Sequence, residues 1–266
     1  MAIISLSPPR VNDVLIETAS EKLELSQKKL SILYQKVIAM DPVLRLGIIV
    51  ILSYLLGSIP TGVWISRALF GFDIRSKGSG NMGSTNIFRV LGWKWGIIVQ
   101  LIDIMKGLSA VLFVSHLFGG QMPFNNNTPF EDETVVKLIA GASAVLGHIF
   151  SLFVNFRGGK GINTAAGMLV ALAPVDVGIA AAGFLIAVTL SGYISLGSII
   201  AAITIPLAMI FRYNILHVNI PGYHTMVYFA AAIALIVIYT HRGNIRRLAS
   251  GTENRFAKLQ IFKHKH

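Results

Sequence analysis

The sequence places glycine, serine, asparagine and arginine together in one short segment between two apolar stretches. A glycine-rich turn that opens a helix presents outward-pointing backbone N–H groups, which bind anions. We interpret this first cluster as an anion-binding turn, with an ordinary capped loop as the alternative. Gly78–Gly83 formally matches a dinucleotide fingerprint, but that motif requires a preceding β-strand and an apolar segment of helical length precedes it here. The candidate ligand-binding residues are Ser79, Asn81, Gly83, Thr85, Asn86 and Arg89.

A second cluster surrounds a lysine with glycines. Gly158, Gly159 and Gly161 flank Lys160, so the main chain can approach a ligand closely. A Walker A loop is excluded, because valine and isoleucine stand where that motif requires its first glycine and its Ser/Thr. The pattern is typical of a phosphate cradle, in which a lysine about 4 Å from a phosphate contributes about 4 kcal/mol near a protein surface. A tight turn with a lysine that snorkels to the membrane interface is the alternative.

Two further clusters contain small polar and basic residues. Ser195 and Ser198 lie in a segment of small residues, which more often serve close helix packing than ligand contact. His241 and Asn244 share a helix face at i, i+3 spacing, in a basic segment that also holds Glu253. Ligand contact and anchoring on acidic lipids are equal alternatives for that basic segment.

Ionisable residues also interrupt the apolar stretches. Asp103 and Lys106 lie in the middle of one of them, and at i, i+3 spacing we expect a structural ion pair, with a proton relay as the alternative. We expect His148, at the end of another stretch, to be satisfied by backbone groups. No metal or other cofactor is predicted, because the sequence has no cysteine and no clustered set of His and acidic ligands.

The elements that position these clusters are predicted to be transmembrane helices. The chain is 54% hydrophobic and 13% charged, whereas a soluble domain carries about 25% charged residues. Because about 20 apolar residues cross a bilayer, the fold class is an all-α polytopic membrane bundle of seven helices. Nucleic acid is not a predicted partner despite the formal charge of +11, because the basic segments lack interleaved aromatic residues. The candidate spans are 45–67, 93–118, 135–155, 163–174, 175–192, 195–212 and 224–241.

Charge sets the expected topology and the domain boundaries. The basic segments 67–94 and 156–162 and the basic C-terminus belong in the cytoplasm by the positive-inside rule, and the acidic loop 119–134 belongs outside. We expect an amphipathic or flexible N-terminal extension over residues 1–44, closed by Pro42. A transmembrane catalytic bundle over 45–241 and a basic cytoplasmic tail over 242–266 follow.

Taken in order, these motifs resemble the PlsY family of bacterial acyl-phosphate:glycerol-3-phosphate acyltransferases over about 45–256. The motifs are Tyr54-Leu55-Leu56-Gly57-Ser58-Ile59-Pro60, the Ser79–Asn86 block with Arg89, Asp103-x-x-Lys106-Gly107, Gly147-His148-x-Phe150, Gly158-Gly159-Lys160-Gly161 and the His241–Glu253 block. Departures from the usual family residues are Met82, Ser84, Ser151 and Arg157, and none removes a residue expected to act.

The resemblance implies a seven-helix enzyme of the bacterial inner membrane with its active site facing the cytoplasm. It would transfer a fatty acyl group from acyl phosphate to the 1-hydroxyl of glycerol 3-phosphate, as the first step of phospholipid synthesis, giving lysophosphatidic acid and phosphate. Its partners would be these two substrates and the lipid bilayer.

The resemblance also assigns roles to the candidate residues. Lys160, Arg89 and the amides of Gly158–Gly161 would hold phosphate groups. Ser79, His241 and Asn244 would position substrates, Ser195 or Ser198 would contact the acyl-phosphate end, and Glu253 would hold the last loop together. A transporter for a small phosphate-bearing anion is the alternative function.

Overall fold

The computed structural model describes residues 11–117, 122–123 and 125–253, and within these ranges the regular structure is helical, with no strand. Residues 1–10 of the predicted extension, part of the acidic loop and residues 254–266 of the predicted tail lie outside the described residues. The helices are α1 Val11–Ile38, α2 Pro42–Ser58, α3 Thr61–Phe70, α4 Ser84–Leu91, α5 Trp93–Ser109, α6 Ser115–Leu117, α7 Asp132–Ile149, α8 Ile162–Leu172, α9 Pro174–Ser191, α10 Ile194–Asn214, α11 Tyr223–Thr240 and α12 Arg242–Ala249. A π-helical turn, Ala110–Val114, joins α5 to α6, and short 3₁₀ turns cover Ile74–Ser76 and Leu152–Val154.

Five spans in the described part of the chain are long and apolar enough to cross a membrane, and a sixth arises if the bent pair α11 and α12 counts as one span. The five are Pro42–Phe70, Trp93–Val114, Asp132–Val154, Pro174–Ser191 and Ile194–Asn214. The sequence predicts seven, and that count is not confirmed, because the predicted span 224–241 qualifies only with α12 and the predicted span 163–174 is α8, which has 11 residues. At 1.5 Å per residue α8 is about 16 Å long, roughly half the hydrocarbon thickness.

The first span is broken between Gly57 and Gly62, a segment whose two glycines and Pro60 are typical of a helix break. α2 ends at Ser58 and α3 begins at Thr61. Pro60 disfavours a helical conformation at Ile59 and has no N–H of its own, so the helix ends here and its last carbonyl oxygens lack their i+4 donors. Lys106 Nζ donates to the Ile59 carbonyl oxygen at 2.6 Å, and the hydroxyl of Ser151 donates to the Ser58 carbonyl oxygen. The break therefore ties the first span to α5 and to the turn after α7.

Glycines allow α2 and α7 to touch through their backbones. A Cβ at Gly57 would overlap the carbonyl oxygen of Ala144, and a Cβ at Gly147 would overlap the carbonyl oxygen of Tyr54. Small residues at these positions let membrane helices approach more closely than larger side chains permit. The contact fixes the end of α7, where His148 lies.

Glycines also allow α5 and α8 to touch through their backbones. A Cβ at Gly107 would overlap the Thr164 carbonyl oxygen, and a Cβ at Gly167 would overlap that of Ile104. Gly107 follows Lys106 directly, so this contact also fixes the ionisable residues of α5 against the start of α8.

Within the predicted extension, residues 11–38 form α1, and Pro42 begins α2 instead of closing the preceding helix. Asp41 caps α2, because its carboxylate accepts hydrogen bonds from the N–H groups of Val43 at 2.9 Å and Leu44 at 3.1 Å. α1 does not pack extensively on any other helix in the described ranges.

Candidate active site

The first and second clusters meet in a cavity of about 250 Å³. The loop before α4 and α4 itself form one side, and the turn that opens α8 forms the other. Side chains from α5 and from the end of α7 close its base. His148 lines it together with nine of the candidate site residues: Ser79, Asn81, Gly83, Thr85, Asn86, Arg89, Asp103, Lys160 and Gly161.

Asn86 holds the first cluster in shape. Its Oδ1 accepts the N–H of Ser79 at 2.8 Å, and its Nδ2 donates to the carbonyl oxygens of Lys77 at 3.0 Å and Asn81 at 2.8 Å. The residue is 1% exposed. Its side-chain amide is therefore hydrogen-bonded on both sides within the loop, while the residue also lines the cavity. Asn81 also serves the turn, since its Oδ1 accepts the N–H of Gly83 at 2.8 Å.

The start of α4 leaves amide donors available in the cavity wall. Gly83 precedes the helix and supplies no side-chain cap. Within the described structure no acceptor is found for the N–H groups of Ser84 and Thr85. Arg89 lies on the last turn of the same helix, is exposed and lines the cavity. Free backbone N–H groups at a helix start, together with a guanidinium group on the same helix, favour the binding of an anion.

The glycine–lysine turn packs directly on the end of α7. The N–H of Gly158 and the N–H of Gly159 donate to backbone carbonyl oxygens there, at 3.1 and 2.9 Å. A Cβ at Gly158 would overlap the His148 carbonyl oxygen, and a Cβ at Gly159 would overlap His148 Nε2. Both amides are therefore used by the fold, which differs from the expectation that all the amides of Gly158–Gly161 face a ligand. Lys160 itself is exposed and lines the cavity.

The ion pair expected from the i, i+3 spacing is present at the base of the cavity. Lys106 Nζ lies 2.6 Å from Asp103 Oδ1, and both side chains are 3% exposed. His148 Nδ1 lies 3.8 Å from the same carboxylate oxygen and makes no hydrogen bond in the described part of the chain. His148 thus differs from the expectation of a histidine satisfied by backbone, and it lines the cavity. The sequence feature that could have indicated a role for His148 in the site is its position directly after Gly147 and shortly before the second cluster.

Glu253 organises a separate group of the candidate residues. Its Oε1 accepts from the Ser195 hydroxyl at 2.9 Å and from Asn244 Nδ2 at 2.7 Å, and its Oε2 accepts from Arg247 Nε at 2.7 Å. The hydrogen bond from Asn244, and then those from Arg247 and Ser195, hold the pKa of Glu253 below its ordinary value, although desolvation opposes them. Glu253 thereby joins the start of α10 to α12.

Ser198 and His241 bond within their own helices. The Ser198 hydroxyl donates to the Ile194 carbonyl oxygen at 3.0 Å, and His241 Nδ1 lies 2.9 Å from the Val237 carbonyl oxygen. Neither residue lines the 250 Å³ cavity, and neither do Ser195 and Asn244. The four clusters therefore form two groups, the cavity and the residues around Glu253.

Arg75, within the basic segment 67–94, connects the loops beside the cavity. Arg75 pairs with Asp73 through Nη2 at 2.7 Å, while its Nη1 donates to the carbonyl oxygens of Val154 at 3.2 Å and Arg157 at 3.3 Å. The hydrogen bonds from Arg75 hold the pKa of Asp73 well below its ordinary range. Arg67 reaches the same carboxylate at 2.7 Å from a more exposed position. In the sequence, only the Asp-x-Arg pattern just before the first cluster could have indicated this positioning role of Arg75.

Comparisons with known proteins agree with this arrangement. The family model described as glycerol-3-phosphate acyltransferase matches residues 47–251. The glycerol-3-phosphate acyltransferase of Chlorobium phaeobacteroides is 46% identical over 234 residues, covering 80% of this chain and 97% of the relative. That of Chlorobaculum tepidum is 44% identical over 230 residues, covering 79% and 95%.

Two crystal structures of PlsY, an integral membrane glycerol 3-phosphate acyltransferase, have a similar fold. The glycerol 3-phosphate form has a TM-score of 0.57 at 36% identity, and the lysophosphatidic acid form has 0.56 at 34%. Each comparison covers 79% of this chain and 95% of the PlsY chain. The matched residues include both the cavity and the whole of α12, and the chain therefore belongs to the PlsY family of integral membrane glycerol-3-phosphate acyltransferases.

Proposed function

We propose that this protein transfers an acyl group from an acyl phosphate to the 1-hydroxyl of glycerol 3-phosphate, giving lysophosphatidic acid and inorganic phosphate. The observation that carries the proposal is the meeting of the first two clusters in one cavity, where Arg89, Lys160 and the free amides of α4 surround a common space. Family membership and the glycerol 3-phosphate form of the solved relative support the acceptor.

The charges around the cavity suit a phosphate. Arg89 and Lys160 are exposed, and neither forms an ion pair within the described ranges. The carboxylate of Asp103 is already neutralised by Lys106. Lys160 and Arg89 bind the phosphate of a substrate together with the amides of Ser84 and Thr85. Ser79, Asn81, Gly83 and Gly161 shape the surrounding wall.

The chemistry requires little more than positioning. The acceptor hydroxyl oxygen attacks the acyl carbonyl carbon, the new ester C–O bond forms, and the C–O bond to phosphate breaks. The departing phosphate accepts the hydroxyl proton, so no covalent enzyme intermediate is needed. Catalysis arises from proximity and from cations and N–H donors that stabilise the oxyanion and the departing phosphate.

The residues around Glu253 bind the acyl-phosphate end. Glu253 holds both the Asn244 amide and the Ser195 hydroxyl in fixed positions, which favours Ser195 over Ser198 as the contacting serine. Ser198 instead donates to its own helix. His241 lies at the junction of α11 and α12 and positions the same substrate.

The membrane topology follows from the same arrangement. Counting α8 as a short seventh crossing puts the first cluster, the glycine–lysine turn and α12 on one side of the bilayer. The basic composition of these segments favours the cytoplasmic side. The Ser195–Glu253 hydrogen bond supports this arrangement, because it joins the start of α10 to the segment after α12.

A reconstituted assay tests the donor. Purified protein in liposomes is given glycerol 3-phosphate with either a long-chain acyl phosphate or the matching acyl-CoA. We expect phosphate release from acyl phosphate to exceed thiol release from acyl-CoA by at least about a hundredfold, since the cavity is built for phosphate. Equal rates with the two donors would contradict the proposal that acyl phosphate is the donor. Glycerol 3-phosphate flux into these vesicles without acyl transfer would favour the transporter instead.

Arg75 should affect turnover by positioning the two loops, without touching substrate. Arg75→Lys keeps a charge beside Asp73 but loses the planar fork that reaches both carbonyl oxygens. We expect kcat to fall about tenfold, the equivalent of about 1.4 kcal/mol, with a smaller change in KM. Arg67→Lys is the matched control, because Arg67 binds the same carboxylate and makes no hydrogen bond to the turn at residues 154–157 within the described structure. The rate of this variant should stay within about twofold. Equal losses in the two variants would contradict a positioning role.

A further inference from the structure

The N-terminal helix α1 has no part in the site described above. It precedes residue 47, where the family match begins, and the relatives cover about 80% of this chain. Its 28 residues are about 42 Å long. Large apolar side chains project from it into solvent: Leu23 is 62% exposed, Leu30 67% and Leu33 59%.

The apolar residues of α1 follow a seven-residue repeat. Leucine, isoleucine or valine occurs at every seventh position, as at the a positions of a coiled coil. The residues three further along, at the d positions, are alanine, serine and leucine. The a positions are Ile16, Leu23, Leu30 and Val37, and the d positions are Ala19, Ser26 and Leu33. We refer to these seven residues as the α1 seam.

The charges bordering the α1 seam favour another helix over a lipid surface. Lys22, Lys29 and Lys36 form a row along one edge of it, at the g positions. On the far side of that row lie Leu25 and Ile32, which are 58% and 49% exposed. A membrane surface that covered all the apolar residues would have to bury the three ammonium groups at the centre of the contact. A coiled coil leaves g-position lysines at its solvated edge.

We propose that α1 pairs through the α1 seam, parallel and in register, with α1 of a second copy of this chain. Parallel pairing sets Lys22 beside Gln27 of the second copy, and Lys29 beside Tyr34 of the second copy, where the ammonium can lie over the ring. Antiparallel pairing would instead set the lysine row against itself.

The membrane enforces the same orientation. α1 runs into α2 within four residues, so two copies inserted alike present their α1 helices from the same side of the bilayer. Three heptads with Ser26 in the seam make a weak coiled coil in isolation. Confinement to one bilayer raises the effective concentration of the two helices and offsets that weakness.

Cysteine cross-linking tests the pairing, because the chain has no cysteine of its own. Ser26→Cys lies in the seam and Ser31→Cys lies outside it, so the two variants make the same chemical change on helix faces about 140° apart. The full-length protein in liposomes is oxidised with copper phenanthroline. We expect the disulfide-linked dimer of Ser26→Cys to form at least about tenfold faster than that of Ser31→Cys. Equal rates, or no dimer from either variant, would overturn the proposal.

A second pair of variants separates seam packing from chance collision. In the Ser26→Cys background, Leu30→Glu places a charge in the seam, and Ile32→Glu places one outside it. The cross-linking rate should fall at least about fivefold with Leu30→Glu and stay within about twofold with Ile32→Glu. Acyl-transfer turnover should be unchanged in both, which shows that the bundle is intact. Retention of the full cross-linking rate in Leu30→Glu would reject the seam.

Discussion

Replacing Lys160 with alanine should lower turnover by about a hundredfold to a thousandfold while the protein still inserts into the membrane. Lys160 is exposed in the cavity wall and has no ion-pair partner in the described part of the structure. A lysine about 4 Å from a phosphate contributes about 4 kcal/mol near a protein surface, and each 1.4 kcal/mol is about tenfold in rate. The assay is the initial rate of phosphate release from acyl phosphate at several glycerol 3-phosphate concentrations.

Lys94 provides the matched control for that measurement. It is an exposed lysine at the start of α5 that does not line the cavity. Lys94→Ala should keep its rate within about twofold, because an exposed charge outside the site contributes little. If Lys160→Ala retained more than half of the normal rate, the glycine–lysine turn would not hold a substrate phosphate. Similar losses in both variants would indicate a general effect of surface charge.

Gly107→Ala should produce the largest loss of stability among the glycine substitutions in α5. The added Cβ would overlap the Thr164 carbonyl oxygen, and because this is backbone, the contact can be relieved only by moving α5 from α8. Overpacking destabilises a protein by about 1–3 kcal/mol even where side chains can adjust. For Gly107→Ala we expect a loss of folding free energy of at least about 3 kcal/mol. The apparent Tm in detergent should fall by about 10 °C, and activity should fall with it because Asp103 and Lys106 precede this contact.

Gly178→Ala makes the same chemical change where there is space. Gly178 lies in the exposed part of α9, and no atom lies within 4 Å of its added Cβ. Its apparent Tm should stay unchanged or rise slightly, since alanine is favoured over glycine in a helix by about 1 kcal/mol. A Gly107→Ala protein as stable as Gly178→Ala would show that the close approach of α5 and α8 is not tight.

Local features of this protein could be predicted from the sequence because they depend on neighbouring residues. Pro60 and Pro174 lie at the two helix breaks, since proline cannot continue the helical hydrogen bonds before it. The Asp103–Lys106 pair follows from helical spacing alone. The apolar runs indicated spans within a few residues of those observed. The count of seven is not confirmed, because the break before α9 leaves α8 short and α11 qualifies as a span only together with α12.

Only the tertiary structure decided which polar groups remain free for a ligand. Asparagine and glycine are residue types that often bind ligands. Here, however, the Asn86 side chain and the N–H groups of Gly158 and Gly159 hydrogen-bond to backbone groups of the protein itself.

The contacts that position the site join residues far apart in the chain. Lys106 reaches a carbonyl 47 residues away, Ser195 reaches a carboxylate 58 residues away, and Arg75 reaches a carbonyl 79 residues away. The sequence alone determined the helices, their breaks and the clusters of polar residues, since backbone preferences act over a few neighbouring residues. The partners across the site depend on how closely the helices approach, which is set by side-chain volumes on both sides of each interface.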